Sequence, residues 1–537
     1  MTVYWVVWDA GARWLVDGLD ARGRLPNVRR LQAAGVRAAA RPARPNCQTP
    51  PSLATLFTGT PAHVHGVTGF RVPDRRRFGA SRSGFDPAVC AVPPIWRRLG
   101  VRSAFVHVPW VFDPDGQVGA YVDAAVEAFS GRLARHAVLR PSPGGVPLVD
   151  ALPEAAMVTA APGGTVVTGP SGAVRVTDSW VEVDLGGGLG CHVRLVSRPD
   201  GGVLLRTGVW RTRCAGGDPA LVRLLRGLPA FAGESAGSVY RSGDLGVRLP
   251  EGGDGAAEEL LLSSLEPAAR TFAVAADVVL DRHRADLVVV YLPMTDDIGH
   301  ELAGWVDASG PGYRPELAGP GWNLLARAYR TADAILGRVL DRAGPDDTVL
   351  LTADHGIAGT THDVYPNAAL AAAGLATPDG RGGVDPERSA VVFHAAGDGS
   401  LWVNPRVRAQ DPARPWLRAA VDVLAATAGP AGQPVLVGLA DGRGDPVGEP
   451  AGRDHVYCRF AAGLMAQPRL PGNGTAYAPT RKSGGHLSSD GDPRLDAVYA
   501  AAGPGLPTGV DLGRIDNAEI AAVVEGALSA VHVRAGS

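Results

Sequence analysis

Val3 to Trp8 is an unbroken run of apolar and aromatic residues that stops abruptly at Asp9-Ala10-Gly11. Without polar alternation, such a run predicts a strand buried on both faces, as in parallel sheets, and the polar stop predicts a loop at its carboxyl end. The stretch LPNVRRLQAAG, Leu25 to Gly35, has Pro and Asn to open a helix, Val28 and Leu31 three apart on one face, and Gly to end it. PPIWRRLG from Pro93, followed by VRSAFVHVPW, repeats the helix-then-strand unit. The same texture returns in DLVVVYLP from Asp286, in a helical pattern from about Trp322 to Ala343, and in DTVLLTADHG from Asp347. Between these blocks, short alternating strands broken by glycines, such as TVVTGPSGAVRV, predict an antiparallel insertion. A Pro- and Gly-rich stretch before residue 480 reads as a lid, and NAEIAAVVEGALSAV as a closing helix. The pattern thus predicts an α/β fold: a mostly parallel central sheet flanked by helices, built from residues 1–124, 269–365 and 480–537, with a β-rich insertion at 125–268 and a smaller cap at 366–479.

Composition narrows the function classes. Of 537 residues 45% are hydrophobic and 20% charged, which suits a chain that folds around a large core. The formal net charge of −2 leaves no basic stripe for a nucleic-acid polymer. No apolar run is long enough to predict a membrane span, and no positive segment precedes Val3, so the amino terminus reads as a first strand and not as a signal peptide. The five cysteines, Cys47, Cys90, Cys191, Cys214 and Cys458, are widely spaced and contain no CxxC pair. That spacing predicts neither a disulfide framework nor a zinc finger and suits the cytoplasm.

Four short clusters carry the candidate chemistry, each beside a predicted strand end or a polar turn. They are Asp9; TDDIGH with Asp296 and His300; ADHG with Asp354 and His355; and GGHLSSDG with His486. Taken singly, an Asp after a strand is a turn former or helix cap, and a His between glycines is a solvated side chain. Together, three carboxylates and three imidazoles form a donor set for borderline divalent metals, zinc in particular, and are numerous enough for two sites. Thr49 opens the segment TPPSLATLFTG, where Pro50 and Pro51 suit the first turn of a helix. A hydroxyl there could cap the helix.

These residues resemble the alkaline phosphatase superfamily, in its type I phosphodiesterase and nucleotide pyrophosphatase branch. In that family an Asp follows the first strand, a Thr nucleophile opens a T-x-P-x-x-x-T-L-x-T-G helix, and D-x-x-G-H, D-H-G and G-x-H clusters follow. Here WDAG, TPPSLATLFTG, DDIGH, DHG and GGH occur in that order. The resemblance covers roughly residues 1–120 and 280–530 and implies an alkaline-phosphatase-like sheet, with Thr49 as nucleophile and a phosphothreonine intermediate. It also implies two divalent ions, zinc by preference, one held by Asp9, Thr49, Asp354 and His355 and the other by Asp296, His300 and His486. A small phosphate ester or nucleotide is the implied substrate.

Two departures bear on the substrate. The branch carries Asn three residues after the nucleophile and again just beyond the H-G turn, and here these positions hold Ser52 and Phe70. His65 keeps its family place and is expected to support the loop, whereas His63, His362 and His455 are spare. Cys47 lacks the C-x-P-x-R setting of a sulfatase and is expected to be a small buried residue. Two divalent cations, three aspartates and a Thr49 alkoxide leave about zero charge to receive a phosphate. A singly charged diester or an anhydride is therefore easier to accept than a doubly charged monoester, unless Arg71, Arg481 or Lys482 reaches in. The alternatives are a phosphomonoesterase or phosphonate hydrolase of the same superfamily, or a metal-binding relative without catalysis. Trp110, Trp210, Trp305, Trp322 and Tyr365 are expected to pack cores before they clamp a leaving group.

Overall fold

The computed structural model describes residues 1–537 except 75, 129–130, 199–200, 230, 234–235, 283–284, 395–397, 451, 488–490 and 536–537, with 530–535 as backbone only. Its centre is a nine-stranded sheet. In chain order the strands are β1 (Val3–Trp8), β2 (Val36–Arg41), β3 (Ser103–Val106), β4 (Val122–Glu127), β5 (Arg213–Ala215), β6 (Leu287–Leu292), β7 (Thr348–Ala353), β8 (Ala497–Ala502) and β9 (Val510–Asp516). Their order across the sheet is β5-β4-β3-β6-β1-β7-β8-β2-β9. The run β4-β3-β6-β1-β7 is parallel throughout, while β5 and β8 run against their neighbours and β9 pairs parallel with β2. All six residues of β6 and of β7 are buried, which is why both segments read as continuous apolar runs.

Register places the site. Trp8 pairs with Leu292 on one side and with Ala353 on the other, so β6, β1 and β7 end at the same level. Strands in a sheet lie about 4.8 Å apart. The residues that follow them, Asp9, Asp354 and the helix Met294–Val306, therefore leave one edge within side-chain reach of each other. Because β2 runs in the same direction as β1, the loop after it delivers the helix Thr49–Thr58 to that edge too. All ten residues of this helix are buried, and Gly59 ends it at φ 69° with its N–H on the Thr55 carbonyl at 2.9 Å. A Cβ on Gly59 would come within 2.7 Å of Ala521 in the closing helix Asn517–Ala535.

The β-rich segment forms two four-stranded antiparallel sheets from Ala137 to Arg206 around a core that includes Val158, Val167, Cys191, Val193 and Leu204. Strands β4 and β5 flank it but belong to the central sheet, so the expected boundaries of 125–268 take in parts of the catalytic core. Amphipathic alternation does not mark those strands, because β4 is buried at five of its six positions. The helix Ala256–Arg282 likewise begins inside the expected insertion and packs on the main core through Leu261, Leu265, Phe272 and Val279. The cap has its own antiparallel sheet, Val391–Phe393, Ser400–Val403, His455–Phe460 and Leu436–Ala440, with a separate core around Phe393, Leu401, Leu417 and Leu424. Among the described residues no helix is long and apolar enough to cross a membrane.

His107, at the end of β3, has φ 54° and packs between Phe231 at 4.6 Å and Phe272 at 4.7 Å between ring centroids. Burial pushes its pKa down to about 3. The unfolded chain then binds a proton below pH about 6.5 that the native state refuses, so this contribution to stability is complete above that pH and is lost as the pH falls. His107→Asn, which tolerates the backbone angle, is expected to flatten the fall in unfolding free energy between pH 6.5 and 4.5 by up to about 1.4 kcal/mol per pH unit. Denaturant titrations at a series of pH values check this. An unchanged slope would show that other groups control the acid limb.

Candidate active site

The sheet edge brings all seven expected residues together, in two groups of mutually close donor atoms: Asp9, Asp354 and His355, joined by Thr49, and Asp296, His300 and His486. Asp296 and His300 are four residues apart on the helix Met294–Val306 and share a face. His486 follows the two-residue strand Gly484–Gly485, which pairs with Ala358–Gly359 just beyond His355. The His355 and His486 rings stack at 3.8 Å between centroids, so the two groups abut.

The separations within each group carry chemical information. Thr49 Oγ1 lies 3.4 Å from Asp9 Oδ1 and 3.3 Å from His355 Nε2. His355 Nε2 is 3.5 Å from Asp9 Oδ1 and 3.3 Å from Asp354 Oδ2. In the other group, His300 Nε2 and His486 Nε2 each stand 3.4 Å from Asp296 Oδ1. All are longer than good hydrogen bonds. They match the edge of a tetrahedron of ligands around an ion with bonds of about 2.0–2.1 Å, an edge of about 3.3–3.4 Å. The inward carboxylate oxygens Asp296 Oδ1 and Asp354 Oδ2 are buried and accept no hydrogen bond. Such orphaned acceptors are costly unless a cation completes them.

Neighbouring groups fix the donors. His300 Nδ1 donates to the Gly484 carbonyl at 2.9 Å and His355 Nδ1 to the Gly356 carbonyl at 2.9 Å, which leaves each Nε2 free to bind a metal. Burial, with His486 beside it, holds His355 well below its ordinary pKa, and burial holds His300 at about 3 against the pull of Asp296. Both rings are therefore neutral, as ligation requires. Burial and the neighbouring carboxylates push Asp9 and Asp354 well above the usual carboxylate range. Tyr291 donates its hydroxyl to Asp9 Oδ2, and Thr295 Oγ1 donates to the Asp9 carbonyl. Asp354 Oδ1 accepts from the Ala10 N–H at 3.0 Å and the His355 N–H at 2.9 Å, while Asn517 Nδ2 holds the Asp354 carbonyl at 2.6 Å. Ala10 has φ 48°, a strained angle for a residue with a Cβ, and it turns the chain so that this bond forms.

The start of the Thr49 helix is poorer in donors than its position suggests. Pro50 and Pro51 have no N–H, and the Ser52 N–H is already bonded to the Gln48 carbonyl at 3.1 Å. The N–H cradle expected for a phosphate is correspondingly reduced. Phe70 is 43% exposed, and its N–H donates to Gln48 Oε1 at 3.1 Å, so an aromatic ring stands where the family carries an amide. His65 supports the loop: Nε2 meets Thr55 Oγ1 at 3.0 Å and Nδ1 accepts from the Val67 N–H at 3.1 Å. Cys47 is fully buried beside Ala358 and Leu495. Trp110, Trp210, Trp305 and Tyr365 are buried in packing, and Trp322 packs edge-on to Trp14 at 6.4 Å. Arg71 donates to Ser81 and Arg481 to the Arg241 carbonyl. A cavity of about 920 Å³ lies between the hairpin at 71–83 and the cap, but none of the seven residues lines it. His486 instead borders a cleft of about 70 Å³ with Thr360, Met465 and Arg494.

Tyr291, Thr295 and Asn517 are the supporting residues that sequence patterning misses. Tyr291 sits inside an apolar strand, and Asn517 opens a helix more than 160 residues after Asp354, so neither advertises its partner.

A model of the type I phosphodiesterase / nucleotide pyrophosphatase family matches residues 11–150 and 242–504, well over half of the chain. The chain belongs to this family, a branch of the alkaline phosphatase superfamily, and is accordingly a phosphoric ester hydrolase of the phosphodiesterase and nucleotide pyrophosphatase kind. The unmatched interval, 151–241, takes in most of the β-rich insertion. Among solved structures it is similar to murine ectonucleotide pyrophosphatase / phosphodiesterase 5, at 12% identity over 98% of this chain and 95% of that chain, with a TM-score of 0.48. The human protein of that name is similar at 11% identity with the same coverage and TM-score. An inactive variant of the murine protein in complex with AMP is similar at 11% identity over 98% of this chain and 95% of that chain, with a TM-score of 0.47. No curated protein matches the sequence.

Proposed function

We propose that the chain hydrolyses phosphodiester or phosphoanhydride bonds through Thr49. In this reading Asp9, Thr49, Asp354 and His355 hold one divalent ion and Asp296, His300 and His486 a second, with zinc the preferred metal. The observation that carries it is the set of donor separations, 3.3 to 3.5 Å in both groups, around carboxylate oxygens that nothing else satisfies. The first group has four protein donors, including the nucleophile, while the second has three and leaves a position open, as catalytic sites do. Bound there, the ions would lower the pKa of the Thr49 hydroxyl and offset charge on the phosphoryl group.

Thr49 Oγ1 gives up its proton and attacks phosphorus, and the bond from phosphorus to the leaving oxygen breaks. The enzyme is left as a phosphothreonine that still carries the substituent not expelled, the departing oxygen takes up a proton, and water then cleaves the bond from phosphorus to Thr49 Oγ1 to release the monosubstituted phosphate and restore the hydroxyl. Gln48 anchors the nucleophile's approach: its N–H bonds Asn46 Oδ1 at 3.0 Å and its side-chain oxygen holds the Phe70 N–H. A cytoplasmic setting is proposed on the same footing, since the five cysteines are odd in number, widely spaced and without a CxxC pair. Retention in the soluble cytosolic fraction on cell fractionation checks that point.

Hydrolysis of bis-p-nitrophenyl phosphate, p-nitrophenyl-TMP and p-nitrophenyl phosphate by zinc-loaded and chelator-stripped protein tests the reaction. The expected result is zinc-dependent turnover that favours the two diesters. Turnover of the monoester alone would place the protein with the phosphomonoesterases, and two bound metals without turnover would make it a binding protein.

Tyr291→Phe removes a hydrogen bond from Asp9 while keeping the ring. Loss of such a supporting bond commonly weakens a metal site 10- to 100-fold. Zinc affinity measured by chelator competition is expected to fall about tenfold. Unchanged affinity would show that Asp9 is oriented by its backbone alone.

A further inference from the structure

Lys482 is the only lysine in the chain; every other basic side chain of that type, among the 52 lysines and arginines, is an arginine. Lysine differs from arginine in presenting a compact, strongly hydrated point charge on a thin stem, whereas the guanidinium is a broad planar fork. A sequence that otherwise relies on arginine keeps the ammonium at one place, and that place adjoins the second donor group.

Residues 480–486 run along the helix Met294–Val306. The Ser483 N–H donates to the His300 carbonyl at 3.0 Å and Ser483 Oγ to the Glu301 carbonyl at 2.7 Å. The Lys482 carbonyl accepts from Thr360 Oγ1 at 3.2 Å. These bonds fix the Lys482 backbone one residue from the His300 turn and four residues before His486. Its half-buried side chain lies in the field of Asp296, Glu301 and Asp363, and of the Arg241 cation. Two of these acids have partners of their own. Glu301 is paired with Arg241, and Asp363 accepts from Gln467 Nε2 at 3.0 Å and has Arg469 at 3.8 Å. Among the described residues the Lys482 ammonium has neither an ion-pair partner nor a hydrogen bond. Arg71 and Arg481, the other cations that could reach the phosphate, are engaged by Ser81 and by the Arg241 carbonyl.

We propose that Lys482 is a specificity residue, supplying the positive charge that admits substrates bringing a second negative charge to the Asp296–His300–His486 side of the site. The inference rests on the reaction proposed above. With two divalent ions, three aspartates and a Thr49 alkoxide the site is close to neutral, which suits a phosphodiester monoanion. An unpaired ammonium at its edge tips that balance for a phosphomonoester dianion or for a leaving group that is itself a phosphate.

The test compares wild-type zinc-loaded protein with Lys482→Gln and Lys482→Arg. For Lys482→Gln, kcat/KM on bis-p-nitrophenyl phosphate is expected to stay within about threefold of wild type. On p-nitrophenyl phosphate it is expected to fall tenfold or more, and the inhibition constant of inorganic phosphate to rise by a similar factor, about 1.4 kcal/mol. Lys482→Arg, which keeps the charge, is expected to recover part of the monoester activity. A lysine that merely balances Glu301 and Asp363 would instead lower the melting temperature and reduce turnover of both esters alike, and that result overturns the proposal. Should the wild-type protein turn over neither ester, the reaction above fails on its own. Calorimetric binding of inorganic phosphate to zinc-loaded protein then decides the role of Lys482. Weaker binding by Lys482→Gln supports it, and equal or absent binding overturns it.

Discussion

Thr49→Ala is expected to lower kcat on a diester by about a thousandfold or more, while zinc content and melting temperature stay close to wild type. A thousandfold loss is about 4 kcal/mol of transition-state stabilisation. That is more than a helix cap or a packing contact contributes, but it is the scale of removing a nucleophile. The side chain is small, sits in the first turn of a fully buried helix, and leaves Asp9, Asp354 and His355 to keep their ion. Substitution therefore removes one donor out of four and the attacking atom, without opening a large cavity. Steady-state kinetics together with metal analysis check the prediction. A loss of tenfold or less with metals bound would mean that Thr49 is a packing residue beside Asp9 and His355 and not the nucleophile.

Asp354→Asn is expected to abolish activity and, unusually for a buried substitution, to stabilise the metal-free protein at neutral to alkaline pH. Asp354 is fully buried, and burial with nearby Asp296 raises its pKa well above the ordinary value, as burial and Asp354 do for Asp9. For an acid whose folded pKa lies above its unfolded one, stability is complete below the unfolded pKa, near 4. It is lost as the pH rises towards the folded value. The contribution of Asp354 to the stability of metal-free wild type thus falls as the pH rises from about 4 into the neutral range, opposite in sign to that of the buried His107. The asparagine keeps an oxygen for the Ala10 and His355 N–H groups that Asp354 Oδ1 now serves, and it removes the charge. Calorimetry with and without chelator is expected to show Asp354→Asn melting above wild type when stripped and below it when zinc-loaded, because only wild type gains from the ion. Melting below wild type in both states would show that Asp354 serves the fold and not a cation.

Much of this site is legible in the sequence for a physical reason. Parallel strands buried on both faces leave apolar runs that end sharply, so Asp9 and Asp354 stand out as the first polar residues after VYWVVW and TVLLTA. Asp296 and His300 show the four-residue spacing of a helix face, and Thr49 sits before a Pro-Pro helix start. What patterning does not carry is lateral order. Nothing local says that β8 enters the sheet antiparallel between β7 and β2, or that β4 and β5, separated by the β-rich segment, lie side by side. The same holds for partners reached across the sheet. Tyr291 and Asn517 are set by register and by the docking of the last helix, and their segments read as ordinary core and ordinary helix. Lys482 is legible as the single lysine, but its neighbours become evident only when residues 480–486 are seen against the His300 helix.

The stereochemical course at phosphorus tests the central claim most directly. Hydrolysis of a diester made chiral at phosphorus by sulfur substitution, run in isotope-labelled water, reports how many in-line displacements occur. Attack by Thr49 followed by attack of water on phosphothreonine inverts phosphorus twice and predicts net retention of configuration. Net inversion would mean that water attacks the substrate directly, and it would contradict the assignment of Thr49 as the nucleophile.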